Sequence, residues 1–222
     1  MTTDRTAHVG TRGMPRPERE AQILDAALAE FGERGYYQVS VAAIARRAAI
    51  SKPLVHAYFG TKDALYVRCV EALTETLLDV ITPVVEAAEP GMPMALETLQ
   101  TIFTTMRERP TDWMVLYDEN LPRDSSVHQV AAAGRDRMTD LGAVGVRAAL
   151  RHHAGAAEVD PVDASMMNHV WQSVVTSLMT WWIEHPDQTP ADLTARFERI
   201  LVAMTDVHPS GPPGRQPIQP LR

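Results

Sequence analysis

Apolar residues recur along this chain at three- and four-residue spacing, with no strand-like alternation bounded by hairpin turns, so the pattern predicts an all-α protein. Leu24, Leu28 and Phe31, flanked by Ile23 and Ala27, give a first helix one buried stripe, and Gly32 and Gly35 are expected to help close it. Ser40 is placed to cap a second helix whose Val41, Ile44, Ala45 and Ala48 face inward. A very short third helix follows, with Ser51 expected to accept hydrogen bonds from its open N–H groups. Pro53 is tolerated there because it falls in the first turn. Thr61 caps a long fourth helix carrying Leu65, Cys69, Leu73, Leu77 and Val80, expected to run until Pro83. Further helices are predicted at about 93–107, 111–120, 125–153, 162–185 and 191–207, with Pro110, Pro122, Pro161, Pro186 and Pro190 at their ends.

The polar stretches outside this pattern divide the chain into a flexible arm (1–17), a three-helix head (18–62), a larger helical body (63–207) and a Pro/Gly-rich tail (208–222) expected to stay outside the fold. Charge sharpens the division. Residues 1–62 hold 9 Lys+Arg against 6 Asp+Glu, a balance of +3, whereas the rest balances at −10 within the total of −7. A mildly basic head on an acidic body aims the head at a polyanion and turns the body away from it. The single cysteine, Cys69, excludes an intrachain disulfide framework and fits a reducing, cytoplasmic setting. The polar N-terminus lacks the apolar core of a signal peptide, and no apolar run is long enough to cross a bilayer.

The chemistry concentrates between Ser40 and Tyr58, where two helices joined by a tight turn have the length of a helix-turn-helix. Such a unit inserts its second helix in the major groove while the first crosses the backbone. Ser40, Ser51, Lys52, Pro53, Leu54, His56, Tyr58 and Lys62 are the candidate DNA-binding residues. Lysine offers charge to phosphate or hydrogen bonds to guanine, histidine and tyrosine reach phosphate oxygens, and Pro53 and Leu54 can press on a thymine methyl. Lys62 opens the fourth helix, beside backbone N–H groups, where a cation would clasp the same phosphate strand.

The run Ser40-Val-Ala-Ala-Ile-Ala, followed by Ala49-Ile-Ser-Lys-Pro-Leu-Val-His-Ala-Tyr-Phe-Gly-Thr-Lys-Asp-Ala-Leu-Tyr66, resembles the DNA-binding signature of the TetR family of bacterial regulators. The resemblance spans roughly Glu18 to Tyr66 and includes Ile23-Leu24-Asp25-Ala26-Ala27 and Phe31-Gly32-Glu33-Arg34-Gly35-Tyr36. It implies that Ser40 caps the supporting helix, that Lys52, Pro53, Leu54, His56 and Tyr58 lie on the DNA-facing helix, and that Lys62 anchors a phosphate. It also implies a homodimer that reads a palindromic operator and releases it when a small molecule enters the C-terminal domain. Two positions depart from the family pattern: Ala49 stands where glycine is usual in the turn, and His56 where tyrosine is common. A left-handed Ala49 would carry roughly 1–2 kcal/mol of strain.

In the body, Trp171, Val174, Leu178 and Trp182 give the eighth helix a broad apolar face, and Leu193, Phe197, Ile200, Leu201 and Met204 give the ninth another. Two such helices can form a four-helix bundle with the same pair of a second subunit. Val174, Leu178, Trp182, Leu193, Phe197, Ile200, Leu201 and Met204 are therefore the candidate dimer interface; packing within one subunit is the competing assignment. Trp113, Met114, Tyr117, Met138, Met167 and Trp171 are the candidate pocket residues, pointing to a small hydrophobic effector, since Met adapts to varied shapes and Trp or Tyr adds a polar tip to apolar surface.

Catalysis is not expected, nor is a cofactor or metal. His152 and His153 are adjacent and diverge on a helix, Cys69 lacks a neighbouring histidine in sequence, and no glycine-rich phosphate loop appears. The function expected is a ligand-responsive repressor. A helical protein-binding module or an activator of the same architecture is the alternative.

Overall fold

A computed structural model describes residues 14–154 and 158–205, and places nine α-helices and one 3-10 turn among them, with no strand. The helices are α1 (Arg16–Gln38), α2 (Val41–Arg47), α3 (Lys52–Phe59), α4 (Lys62–Ala87), α5 (Met92–Thr105), α6 (Trp113–Leu116), α7 (Ser126–Ala154), α8 (Pro161–Glu184) and α9 (Pro190–Thr205), with the 3-10 turn at Pro110–Asp112. The expected tail at 208–222 and most of the expected arm lie outside the described residues, and the last residues assigned to the arm, Arg16 and Pro17, already belong to α1.

One continuous core joins head and body. Ile23, Ala27 and Phe31 of α1 are buried as their spacing predicts, and they meet Ile44 of α2, Val55 of α3 and Leu65, Cys69 and Leu77 of α4. Phe31, Tyr36 and Tyr66 form an aromatic cluster at this junction, with Phe31 edge-on to Tyr66 at 4.9 Å and Tyr36 edge-on to Tyr66 at 5.2 Å. Capping follows the sequence at two of the three expected sites: Ser40 Oγ accepts from Ala43 N at 3.2 Å and Thr61 Oγ1 from Ala64 N at 3.0 Å. At the third, Ser51 occupies the N-cap position of α3 but its side chain accepts no capping bond.

Three other expectations are corrected. Gly32 does not close α1. It lies within the helix, where a Cβ would come 2.6 Å from the Thr111 carbonyl oxygen, so its role is to let the body approach α1 closely. The break comes at Gly35, whose φ of 74° interrupts the helix. Pro83 does not stop α4, which continues to Ala87, because the proline removes one hydrogen bond while Ile81 and Val85 remain anchored in the core. Finally, 111–120 is not one helix but the 3-10 turn and the single-turn α6.

Candidate nucleic-acid interface and internal cavity

The turn between α2 and α3 decides how α3 is presented. Ala49 has φ 52°, the left-handed conformation that its place after α2 demands. Ile50 N donates to Ala45 O at 2.9 Å and Ala49 N to Arg46 O at 3.1 Å, the paired bonds of a Schellman ending. Gln22 Nε2 of α1 donates to Ala48 O at 3.0 Å and braces the turn from behind. Arg47, at the end of α2, makes two parallel bonds to Glu33 at 2.8 and 2.6 Å and a third to Glu30 at 3.3 Å, which locks α2 onto α1. The Arg47 hydrogen bond holds the Glu33 carboxyl below its ordinary range.

On that scaffold α3 buries Val55 and exposes Ser51, Lys52, Pro53 and His56, with Leu54 and Tyr58 half-buried. His56 Nδ1 lies 2.6 Å from Gly60 O. A carbonyl only accepts, so the proton sits on Nδ1 and Nε2 is left for an outside partner. Tyr58 is backed by the core and covered by Arg16, whose guanidinium carbon lies 5.5 Å from the ring centroid. Arg16 thus brings charge beside Tyr58 of α3, and Arg46 is exposed in the last turn of α2.

Lys62, at the start of α4, reaches back to the end of α1. Its Nζ donates to Tyr36 O at 2.9 Å and Val39 O at 3.2 Å and lies 4.0 Å from the Tyr36 ring centroid. Those carbonyls end α1, so the ammonium ties the start of α4 to the end of α1; burial lowers its pKa. The neighbouring Tyr36 hydroxyl donates to Asp63 Oδ1 at 2.5 Å, and its pKa is raised by burial and by that carboxylate.

The body forms a partly open cavity of about 220 Å³ between α4, α5, α6, α7 and α8. Of the expected pocket residues, Trp113, Met138, Met167 and Trp171 line it, Met167 from a half-exposed position at its rim. Met114 and Tyr117 do not: Met114 packs on the core, and Tyr117 stacks on the far side of Trp113 at 4.6 Å between centroids. The residues missed are aliphatic or small, including Ile81, Met94, Ile102, Gly142, Gly145 and Val175, with Thr98 and Gln172 as polar members. Gly142 and Gly145 carried the one legible signal, a small-residue face on α7. A Cβ at Gly142 would lie 2.5 Å from Gln172 Nε2 and 2.8 Å from Asn168 Oδ1, so glycine leaves room for the amide ends of two α8 side chains.

Head and cavity share the segment from Arg109 to Asp118. Trp113 lines the cavity, while Arg109 pairs with Asp25 of α1 at 2.6 Å and Asp118 Oδ2 accepts from Tyr36 N at 3.0 Å. Tyr66 OH of α4 donates to Val115 O at 2.6 Å. Asp112 is buried beside Arg109 at 3.1 Å, and burial pushes its carboxyl up to about 6.

The expected dimer residues separate into two groups. Trp182 and Leu193 are core: Trp182 is 3% exposed, packs edge-on to Phe103 at 5.5 Å and donates to Gln188 O at 2.9 Å, and Leu193 is 3% exposed. They are occupied within one subunit because α9 lies on α5, where Thr194 Oγ1 also donates to Gln100 Oε1 at 2.8 Å. Val174, Leu178, Phe197 and Leu201 are half-buried, Ile200 is exposed, and the Met204 side chain lies outside the described residues. The apolar residues of α8 that face outward are Val162, Met166, Met167, Val170 and Trp181, which fall within about 140° of arc on a helix. Cys69 is fully buried and burial raises its thiol pKa, and no helix among the described residues is long and apolar enough to cross a membrane.

Residues 23–69 match the family model described as bacterial regulatory proteins, tetR family. Among curated proteins, the HTH-type transcriptional regulator BetI of Rhizobium meliloti is 28% identical over 135 residues, 60% of this chain and 66% of that protein. The HTH-type transcriptional activator FasR of Mycolicibacterium smegmatis is 22% identical over 127 residues, 57% of this chain and 58% of that protein. The chain therefore spans between 58% and 66% of the length of these relatives. Among solved structures, a TetR-like transcriptional regulator from Rhodococcus sp. RHA1 aligns with TM-score 0.67 and 21% identity over 88% of this chain and 100% of that one. The regulator FadR of Bacillus subtilis, in complex with stearoyl-CoA, aligns with TM-score 0.67 and 15% identity over 85% of this chain and 99% of that one. Both share its fold.

Proposed function

We propose that the chain, whose residues 23–69 match the tetR family of bacterial regulatory proteins, is a ligand-responsive DNA-binding regulator of transcription, working in the cytoplasm as a homodimer on a palindromic operator. The observation that carries this is α3, a short helix with one side anchored through Val55 and the other exposing Lys52, Pro53 and His56. Lys52 and His56 would read base edges or phosphates, Pro53 and Leu54 would contact a thymine methyl, and Ser40 and Ser51 would lie against the backbone. Tyr58, steadied under Arg16, would reach a phosphate. Lys62 would serve as a brace for the head.

The effector would occupy the cavity, and its wall at Trp113 would pass any displacement to α1 through the Arg109–Asp118 segment. Repression is the proposed outcome, with release of DNA on binding; FasR is named an activator, which keeps activation as the second reading. No catalytic role is proposed. The dimer would form through the outward face of α8, Met166, Val170 and Trp181, together with Ile200 of α9.

The test is selection of bound fragments from a bacterial genome with the purified protein, followed by salt titration on the recovered site. A single inverted-repeat sequence bound with affinity falling steeply as salt rises is expected. Lys52→Ala and His56→Ala should each alter the selected sequence. Binding that ignores salt and sequence would remove the reading and leave a protein-binding module.

A further inference from the structure

The cavity wall carries a specific chemical demand. Among the described residues that line it there is no Asp, Glu, Lys, Arg or His. A carboxylate, phosphate or ammonium placed inside would lose its water and gain no opposite charge. Polar character enters through Thr98, Gln172 and Trp113. Gln172 Nε2 already leans on Met138 O at 3.4 Å. Trp113 is different: it is 1% exposed, and its indole Nε1 is buried without a hydrogen-bond partner. An indole nitrogen only donates, and buried donors are almost always paired. The other buried tryptophan obeys that rule, since Trp182 Nε1 donates to Gln188 O at 2.9 Å.

We infer that the cavity takes an uncharged, mainly apolar molecule carrying one hydrogen-bond-accepting oxygen, a carbonyl or ether, that meets the indole N–H of Trp113. Aliphatic side chains and the glycines of α7 hold the apolar part, and Trp113 sets its direction by claiming the oxygen. This rests on the reading of the cavity as the effector site. It narrows that reading to neutral ketones, esters, lactones or ethers and excludes free acids and amines.

Three molecules of matched shape test it: benzylacetone, butylbenzene and phenylbutyrate, a ketone, a hydrocarbon and an anion. Calorimetric titration of the full chain above neutral pH should rank the ketone about tenfold tighter than the hydrocarbon, with the anion weakest. In Trp113→Phe, which keeps a ring and removes the donor, the ketone and hydrocarbon should bind equally. In the unaltered protein, one tryptophan indole N–H resonance should move downfield with benzylacetone and stay put with butylbenzene, a readout that survives should the variant not fold. Failure of benzylacetone to bind, phenylbutyrate binding as tightly as the ketone, or an absent indole shift overturns the inference. So does an undiminished preference for the ketone in a folded Trp113→Phe. The regulator reading fails separately. Phenylbutyrate binding that releases DNA would keep that reading and sink this inference, whereas Trp113-dependent ketone binding by a protein that selects no DNA would do the reverse.

Discussion

Ala49 shows how one side chain sets the stability of the DNA-facing turn. Its φ of 52° is left-handed, and the hydrogen bonds of the turn leave it no other choice. Ala49→Gly should therefore raise unfolding stability by about 1 kcal/mol, less the entropy glycine adds to the unfolded chain. Urea denaturation would check this, and an unchanged or lower midpoint would show that the turn is not strained. Asp112 gives a pH effect of defined sign. Burial raises its carboxyl from an ordinary 3.8 to about 6, so between these values the folded protein holds a proton that the unfolded chain has released. Its contribution to stability is therefore greatest at low pH and is lost as pH rises from about 4 to about 6. Glu33 runs the other way, since its lowered pKa contributes stability that is lost on acidification. Comparing Asp112→Asn with the parent across pH 4 to 7 isolates the Asp112 term: the variant should lack that decline, and parallel curves would refute the assignment.

At the scale of elements, close approach governs. Gly32 lets the 3-10 turn sit against α1, with the Thr111 carbonyl 2.6 Å from where a Cβ would stand. Gly32→Ala should cost about 1–3 kcal/mol in thermal unfolding, because backbone and not a mobile side chain would have to move. A neutral result would mean that the contact yields. Lys62 joins the N-terminus of α4 to the end of α1 through two carbonyls. Lys62→Ala should lower stability by about 1 kcal/mol while leaving the salt dependence of DNA binding unchanged. A slope reduced by about one would return Lys62 to the phosphate.

For the whole molecule the distinction is between apolar surface used within the subunit and apolar surface left over. Replacing Val170 and Trp181 together by Glu should give a folded monomer in sedimentation, since Val170 is 50% and Trp181 39% exposed. Trp182→Ala should instead lose about 3–5 kcal/mol of stability, because its ring fills the α5 contact. A folded dimer in the first variant would move the interface elsewhere.

The helix pattern, the caps at Ser40 and Thr61, the burial of Val55 and the strained Ala49 were all legible in the sequence, because each depends on neighbours within a turn or two of the chain. What could not be read locally was settled by elements distant in sequence. Gly32 looked like a terminator until Thr111 occupied its face. Pro83 looked like a stop, yet core contacts carry the helix past it. Lys62 opens α4 in the sequence, and only the fold brings its ammonium to the carbonyls at the end of α1. Trp182 and Leu193 looked like dimer residues for the same reason that they are core: amphipathic spacing marks a face that must be covered without stating what covers it. The sequence by itself determined an all-helical chain with a helix-turn-helix head, since backbone propensity, capping and apolar period act locally. Only the tertiary structure decided which residues line the cavity, which apolar face remains outside and where Trp113 carries its unpartnered N–H, since those depend on helices far apart in the chain meeting in space.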